Sequence, residues 1–428
     1  MKSYCFDTRI LVPGDIFVAI HSEKRDGHDF VAEAYQKGAS AAIVHEGYPG
    51  SEPDLIRVPD PLRAFQNLAH EHLLSMPARR VALTGSSGKT STKNLIVAAI
   101  KACLGESATF ATHGNFNNHL GVPLMAFQVT PKHQVAVFEM GMSHFGEIAR
   151  LAEIVEPQVG LITNIGSAHG GVLGGPDGVA KAKAELFEAL GPEHIGVVNA
   201  DDPRCMREAN IKLHARPIYF GQASWADVRI LDFDRPTFCY KDHLVSVDLP
   251  LLGHHNVHNA AAALAVVVAL NLDFETAAAG LEQVEMAPGR LNKKVLENGA
   301  IILDDTYNAN PESMEAGLSV LASFQNKRRI AVLGDMAGLG ESTESRHHAV
   351  GAACAQKGVD LLFACGPNAK HYAEGAFEAG LPIENFTWAE DSQKLGTLVR
   401  QVLDTNDVIW VKGSRIMAME QAVENIQK

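Results

Sequence analysis

The chain has 428 residues, 46% of them apolar and 20% charged, enough for two or three domains with separate cores. Its formal charge of −13 argues against a nucleic-acid partner, which is held through basic patches, but not against a nucleotide, which needs only a local cradle. Six scattered cysteines form no CxxC pair, MKSYCFDTR has no apolar signal core, and no window reaches the length of a membrane span of about 18 residues, so a cytoplasmic protein without structural zinc or disulfides is expected.

Residues 1–77 read as a small α/β unit. Strands are expected near Ile10–Leu11, at Ile16–Ala19 and at Ala41–Val44, with helices over Phe30–Lys37 and Pro61–Leu74. Ser75 to Arg80 reads as a linker. From Val81 the pattern alternates: apolar strands at Val81–Thr84, Val135–Glu139, Val159–Asn164 and Ile195–Asn199, with helices between them. Alternation of this kind implies a parallel sheet with ligands outside the carboxyl ends of its strands. Short β segments are expected over 220–252, then helices at Asn256–Leu270 and Phe274–Gln283. After Pro288-Gly289-Arg290 a second doubly wound unit begins, with strands at Ala300–Asp304, Arg329–Leu333, Asp360–Ala364 and Val408–Val411.

The stretch VALTGSSGKTST is the strongest chemical signal. A strand ends in Gly85-Ser86-Ser87-Gly88, and Lys89-Thr90-Ser91-Thr92 opens an amphipathic helix through Ile100. Backbone N–H groups of such a turn and helix start point at anionic oxygens, a lysine adds a point charge, and a hydroxyl can hold Mg²⁺. The spacing departs from GxxxxGK[ST], because Leu83 stands at the first glycine position. Glu139 and Asn164 each close an expected strand and His169 follows in GSAHG, so a carboxylate, an imidazole and the Thr90 hydroxyl could meet at one crevice. Each could also merely cap the next element. The amides of Gly114-Asn115-Phe116-Asn117-Asn118 could read a base or close an Asx turn, and Asn256 could be a helix N-cap. Asp304-Asp305 leads into a polar loop through Asn310, and Lys412-Gly413-Ser414-Arg415 forms a basic loop suited to a carboxylate or phosphate.

TGSSGKTS, GNFNNHLGVP, FEMG, TNIGSAH, KAKAELF, GHHNVHNAAAA, PGR, DDTYNANPESM, LGDM and VKGSR together resemble the Mur ligases of peptidoglycan synthesis, in order along nearly the whole chain. DDTYNANPESM and LGDMAGLGE resemble the branch that adds D-alanyl-D-alanine to UDP-N-acetylmuramoyl-tripeptide. The resemblance implies an α/β fold of three domains: 1–77 for the UDP substrate, 78–290 a central P-loop ATPase with a parallel sheet, and 291–428 a Rossmann-like acceptor domain. It implies ATP, two Mg²⁺ ions and an acyl-phosphate intermediate in a monomeric cytoplasmic enzyme.

Carried over by position, Thr84 to Ser91 are expected to hold nucleotide phosphates, with Lys89 catalytic. Thr90 and Glu139 match ligands of the first Mg²⁺, and His169 and Lys183 those of the second. Lys183, a solvated helix lysine by its local sequence, matches the lysine that the family carbamoylates with CO₂. Asn118, Asn256 and Asn259 match nucleotide-facing amides, Arg290 a phosphate contact and Asp305 a ribose carboxylate. Thr8, Arg9, Asn115, Asn117, Asn308, Asn310, Lys412 and Ser414 fall where substrate and acceptor are expected. Asp7-Thr8-Arg9 stands nearer the start than in the family, and Gly170 to Gly175 replaces its usual continuation after the histidine, so the UDP pocket is expected to be incomplete or differently built and that wall of the site to differ. A paralogue joining another amine and carboxylate, and a non-ligase nucleotide-binding subunit, are the competing readings.

Overall fold

The computed structural model describes residues 3–22, 25–166 and 173–428. Four parallel strands, in the order Tyr4–Cys5, Ile16–Val18, Ala41–His45 and Leu55–Val58, form the N-terminal sheet. The strand expected near Ile10–Leu11 is instead a pair of turns, closed by Ile10 N–H to Asp7 O and Asp15 N–H to Val12 O, with Pro13 and Gly14 (φ +97°) at the centre of the second. Helix Pro61–Leu74 starts at an Asp60 N-cap followed by proline and crosses to the central unit. Its Gln66 amide donates to His119 O (2.9 Å) and accepts from Arg150 Nε (2.7 Å), while Tyr4 stacks on Phe127 with ring centroids 4.3 Å apart.

The central sheet has nine strands, in the order His243–Ser246, Thr237–Tyr240, Val228–Asp232, Arg216–Gly221, Ile195–Asn199, Val159–Ile162, Arg79–Thr84, Val135–Glu139 and Thr109–Ala111. All neighbours are parallel except the two pairings at the 237–246 end. Arg79 and Arg80 begin a strand rather than finish a linker, because Arg80 is buried with its Nε on Glu156 O. Side chains alternate faces: Val81 and Leu83 pack under helices Lys89–Leu104 and His254–Ala269, and Ala82 packs with Phe138 and Val198 under Glu147–Val155. The strand leading to the glycine turn therefore lies between the strands ending near Glu139 and Asn164.

The third sheet runs Asn292–Val295, Ile301–Asp305, Asp407–Lys412, Arg328–Leu333, Leu361–Cys365 and Phe386–Ala389, with only the first pairing antiparallel. Insertion of Asp407–Lys412 beside Ile301–Asp305 brings the two polar loops expected from sequence together. Among the described residues, no helix is long and apolar enough to cross a membrane.

Phe65 is fully buried between Tyr4 and Phe127, joining the N-terminal sheet to the central unit. Phe65→Ala is expected to lower stability by about 3–5 kcal/mol. Urea unfolding should show the N-terminal unit loosening first, whereas an unchanged midpoint would mean that the aromatic contact does not hold it.

Candidate functional site

The turn Gly85 to Gly88 is shaped by what surrounds it. A side chain at Gly85 would meet Thr163 Oγ1 at 1.9 Å, and Gly88, at φ +75°, would bring one within 2.6 Å of Asn259 Oδ1. Both positions therefore require glycine. Helix Lys89–Leu104 follows directly, and its first-turn N–H groups have no partners within the helix, which makes them available to an anion. Ser86 and Ser87 do not present free N–H groups, contrary to the simple cradle: they donate to Asn164 O and Asn164 Oδ1 at 3.0 Å each.

Two lysines converge on one carbonyl. Lys89 Nζ lies 2.7 Å and Lys183 Nζ 2.9 Å from Gly85 O. Lys183 is 2% exposed, so the solvated lysine expected from its local sequence is overturned: its helix, Pro176–Lys183, turns it inward under the glycine loop. Burial, reinforced by the neighbouring Lys89 charge, pushes the Lys183 pKa well below the usual lysine range. Burial also lowers that of Lys89, with Glu139 opposing.

Glu139 is buried at the end of its strand, with Oε2 accepting from Thr90 Oγ1 (3.0 Å) and Oε1 from Asn117 Nδ2 (2.9 Å). These hard oxygen donors beside an anion cradle suit Mg²⁺, with phosphate and water completing the shell. Among the described residues, no group of three or more His, Cys, Asp or Glu side chains is arranged as a metal site. His169 lies outside the described residues.

A cavity of about 690 Å³ runs from the glycine loop to the third sheet. Arg290 reaches over the Tyr307 ring, 4.1 Å from its centroid, and places Nη2 3.3 Å from Thr90 Oγ1. Asp305 pairs with Lys412 at 2.7 Å; burial raises the Asp305 pKa and lowers that of Lys412, each pull opposed by the partner. Asn308 and Asn115 line the cavity. Asn310 caps helix Pro311–Ser323 and points Nδ2 at Ser86 O, 3.5 Å away.

Other expected residues have different partners. Asn118 Oδ1 accepts from Leu120 and Gly121 N–H, which is the Asx-turn alternative, although the residue still lines the cavity. Asn256 is not an N-cap: Gly253 holds that position, and Asn256 lies inside the helix, donating to Leu252 O and accepting from Asn259. Thr84 is fully buried beneath the loop. Ser414 is 2% exposed and accepts from Ala337 N–H at 2.7 Å, so it joins two loops rather than facing the cavity. Thr8 is buried with its carbonyl on Lys37, and exposed Arg9 clasps Asp7; neither lines the cavity. Ser91 does line it. Sequence reasoning missed His255, a cavity-lining imidazole pushed down to about 4 by burial and then by Lys412; the only signal was its place before a helix start.

Residues 83–267 match the Mur ligase middle domain and residues 289–415 the Mur ligase glutamate ligase domain. The chain is 36% identical to the UDP-N-acetylmuramoyl-tripeptide--D-alanyl-D-alanine ligase of Escherichia coli K12, over 99% of this chain and 93% of that one. The chain belongs to the Mur ligase family. Within that family, the Bacillus subtilis ligase of the same name is 32% identical over 98% of this chain and 92% of its own. Among solved structures, MurF from Acinetobacter baumannii superposes with a TM-score of 0.90 at 32% identity, covering 99% of this chain and 93% of that one. MurF from Thermotoga maritima in complex with ADP gives 0.87 at 28%, covering 100% and 97%.

The lowered pKa of buried Lys183 has a pH signature. Between the lowered native pKa and the usual lysine range the unfolded chain binds a proton that the native amine has released, so over that window this residue makes the native state less stable as pH falls. Lys183→Met removes that linkage. Its stability relative to wild type should therefore grow as pH is lowered, by at most about 1.4 kcal/mol per unit, in urea unfolding without CO₂ or magnesium. A gap independent of pH would mean that the buried amine keeps its proton.

Proposed function

We propose that the chain is an ATP-dependent ligase that joins D-alanyl-D-alanine to UDP-N-acetylmuramoyl-tripeptide in the cytoplasm, acting as a monomer. The observation that carries this reading is the meeting of Lys183 with the glycine loop. A protein that only bound nucleotide would have no use for a second, deeply buried lysine there. The identity to ligases of this name along the full chain favours these substrates over those of a paralogue.

The proposed division is 1–77 for the UDP end of the substrate, with Thr8 and Arg9 at that end, 78–290 for ATP, and 291–428 for the dipeptide. ATP sits at the loop Thr84 to Ser91, with Lys89, Thr90 and Ser91 at the start of the helix meeting its phosphates and Thr84 to Gly88 shaping the turn beneath them, and is further held by Asn118, Asn256 and Asn259 along the cavity wall, by Arg290 and, at the ribose, by Asp305. The peptide carboxylate attacks the γ-phosphorus, and ADP leaves. The resulting acyl phosphate is attacked by the dipeptide amine, which forms the amide and releases phosphate. Lys89 offsets the charge that builds up as two anions approach. Asn117 holds the Glu139 carboxylate in place. Asn115, Asn308, Asn310 and Lys412 border the acceptor's approach, with Ser414 bracing the Lys412 loop. Mg²⁺ between Thr90 and Glu139, and a second ion at His169 and a CO₂-derived carbamate on Lys183, would supply further charge neutralisation on phosphate oxygens.

A neutral Lys183 amine is the form that adds CO₂, and the carbamate replaces a cation by an anion that a hard metal prefers. Release of ADP that requires both substrates, with mass spectrometry of the product, tests the reaction. In that assay Lys89→Ala should abolish turnover in a folded protein. Lys183→Ala should lose most activity, with part restored by formate or acetate, while Lys183→Arg should stay inactive. Wild-type turnover by Lys183→Ala in CO₂-depleted buffer would remove the carbamate from the account.

A further inference from the structure

The segment Thr163-Asn164-Ile165-Gly166, just beyond strand Val159–Ile162, is bound to the glycine loop almost atom for atom. Ser86 N–H donates to Asn164 O at 3.0 Å, and Gly166 N–H donates to Ser86 Oγ at 2.8 Å. Asn164 Oδ1 accepts from Ser87 N–H (3.0 Å) and Ser87 Oγ (3.1 Å), while Asn164 Nδ2 donates to Ser87 O (3.0 Å). Thr163 Oγ1 donates to the same Ser87 carbonyl at 2.8 Å. One side chain thus pairs with both the N–H and the C=O of a single loop residue, as a neighbouring strand would.

The reason lies in the sequence of the loop. With Leu83 in place of the first glycine, the turn between strand and helix is short, and the N–H of Ser86 and both the N–H and C=O of Ser87 find partners on the adjacent strand end. Asn164 is an amide with both a donor and an acceptor at one end, which is what a peptide unit requires. Thr163 in turn accepts no bulk at Gly85, where an added Cβ would lie 1.9 Å from its hydroxyl.

We propose that Asn164 is a positioning residue for ATP: it serves as a surrogate strand that fixes the backbone of Ser86 and Ser87, so that the phosphates are held by the N-terminus of helix Lys89–Leu104 and by Lys89 rather than by the loop's own N–H groups. The proposal rests on the ligase reading for the substrate, though not on which amide is made. The alternative is that Asn164 is a placeholder, occupying an N–H that phosphate would take. The two differ in sign. A phosphate could replace Oδ1 at Ser87 N–H, but it offers no donor: the Ser87 carbonyl would keep Thr163 Oγ1 alone and the displaced amide would lose its partners in the loop, so Asn164 stays when ATP binds.

Asn164→Ala removes all three side-chain bonds, and Asn164→Asp keeps the shape while replacing the donor by an anion. Titration calorimetry of ATP with magnesium, without the other substrates, should show binding weakened about ten- to a hundredfold in Asn164→Ala and at least as much in Asn164→Asp. Steady-state assays should show KM for ATP raised by a similar factor and KM for D-Ala-D-Ala changed less than about twofold, which a general loss of structure would not produce. Thermal unfolding of each variant shows whether it is folded, and Asn164→Asp, isosteric with the native residue, supplies the reading if Asn164→Ala does not fold. Unchanged or tighter ATP binding by a folded Asn164→Ala would overturn the proposal and establish the placeholder instead. Loss of ligase turnover with normal ATP binding would equally overturn it.

Discussion

The site is organised by the carbonyl of Gly85, which accepts Lys89 from the helix that follows it and Lys183 from a helix nearly a hundred residues further on. Two amines at one dipole cannot both remain charged at low cost in a buried place, and that conflict sets the electrostatics of everything nearby. Lys89 faces Glu139, whose charge favours its protonated form, whereas Lys183 is pushed down by burial and by Lys89, with the Cys205 thiol opposing. The sheet makes the arrangement possible. It places the glycine turn between the strand that ends in Glu139 and the one that leads to Asn164, so an acid and an amide flank the same loop.

The third sheet completes the cavity from the other side. Arg290 reaches Thr90, and Asn310 reaches Ser86, so residues distant in the chain border the same phosphate loop. The buried Asp305–Lys412 pair fixes the two adjacent strand ends from which the acceptor-side loops project. Lys412 also donates to Asn308 O, and Trp410 Nε1 to Asp305. A pair this buried adds little net stability, but loss of either partner leaves an uncompensated charge, so it serves to hold geometry.

Much of this was legible from the chain alone, because strand periodicity and strand-end polar residues carry local information. The Val81–Thr84 strand, the glycine turn, helix Pro61–Leu74 and Glu139 all stand where their sequences put them. What was not legible depended on partners distant in sequence. Nothing local distinguishes Lys183 from the exposed Lys181 two residues earlier; only packing beneath the loop buries it. The sequence Ile10–Leu11 looks like a strand, yet Asp7, Pro13 and Asp15 close it into a pair of turns. Asn256 reads as a cap until the helix is seen to begin at His254. Asn164 was visible as a polar strand end, but its pairing with Ser87 required the neighbouring strand to be known.

The account holds that this cavity brings a carboxylate to the γ-phosphate and then an amine to the activated acyl group. The most direct test uses UDP-N-acetylmuramoyl-tripeptide with both oxygens of its terminal peptide carboxylate labelled with oxygen-18, incubated with ATP and D-Ala-D-Ala. An acyl phosphate transfers one carboxylate oxygen to the departing phosphate, so each phosphate released should carry one labelled atom and the new amide should retain the other. Phosphate without label, alongside a ligated product that keeps its labelled amide oxygen, would contradict activation by phosphoryl transfer and with it the central role given to Lys89 and Lys183.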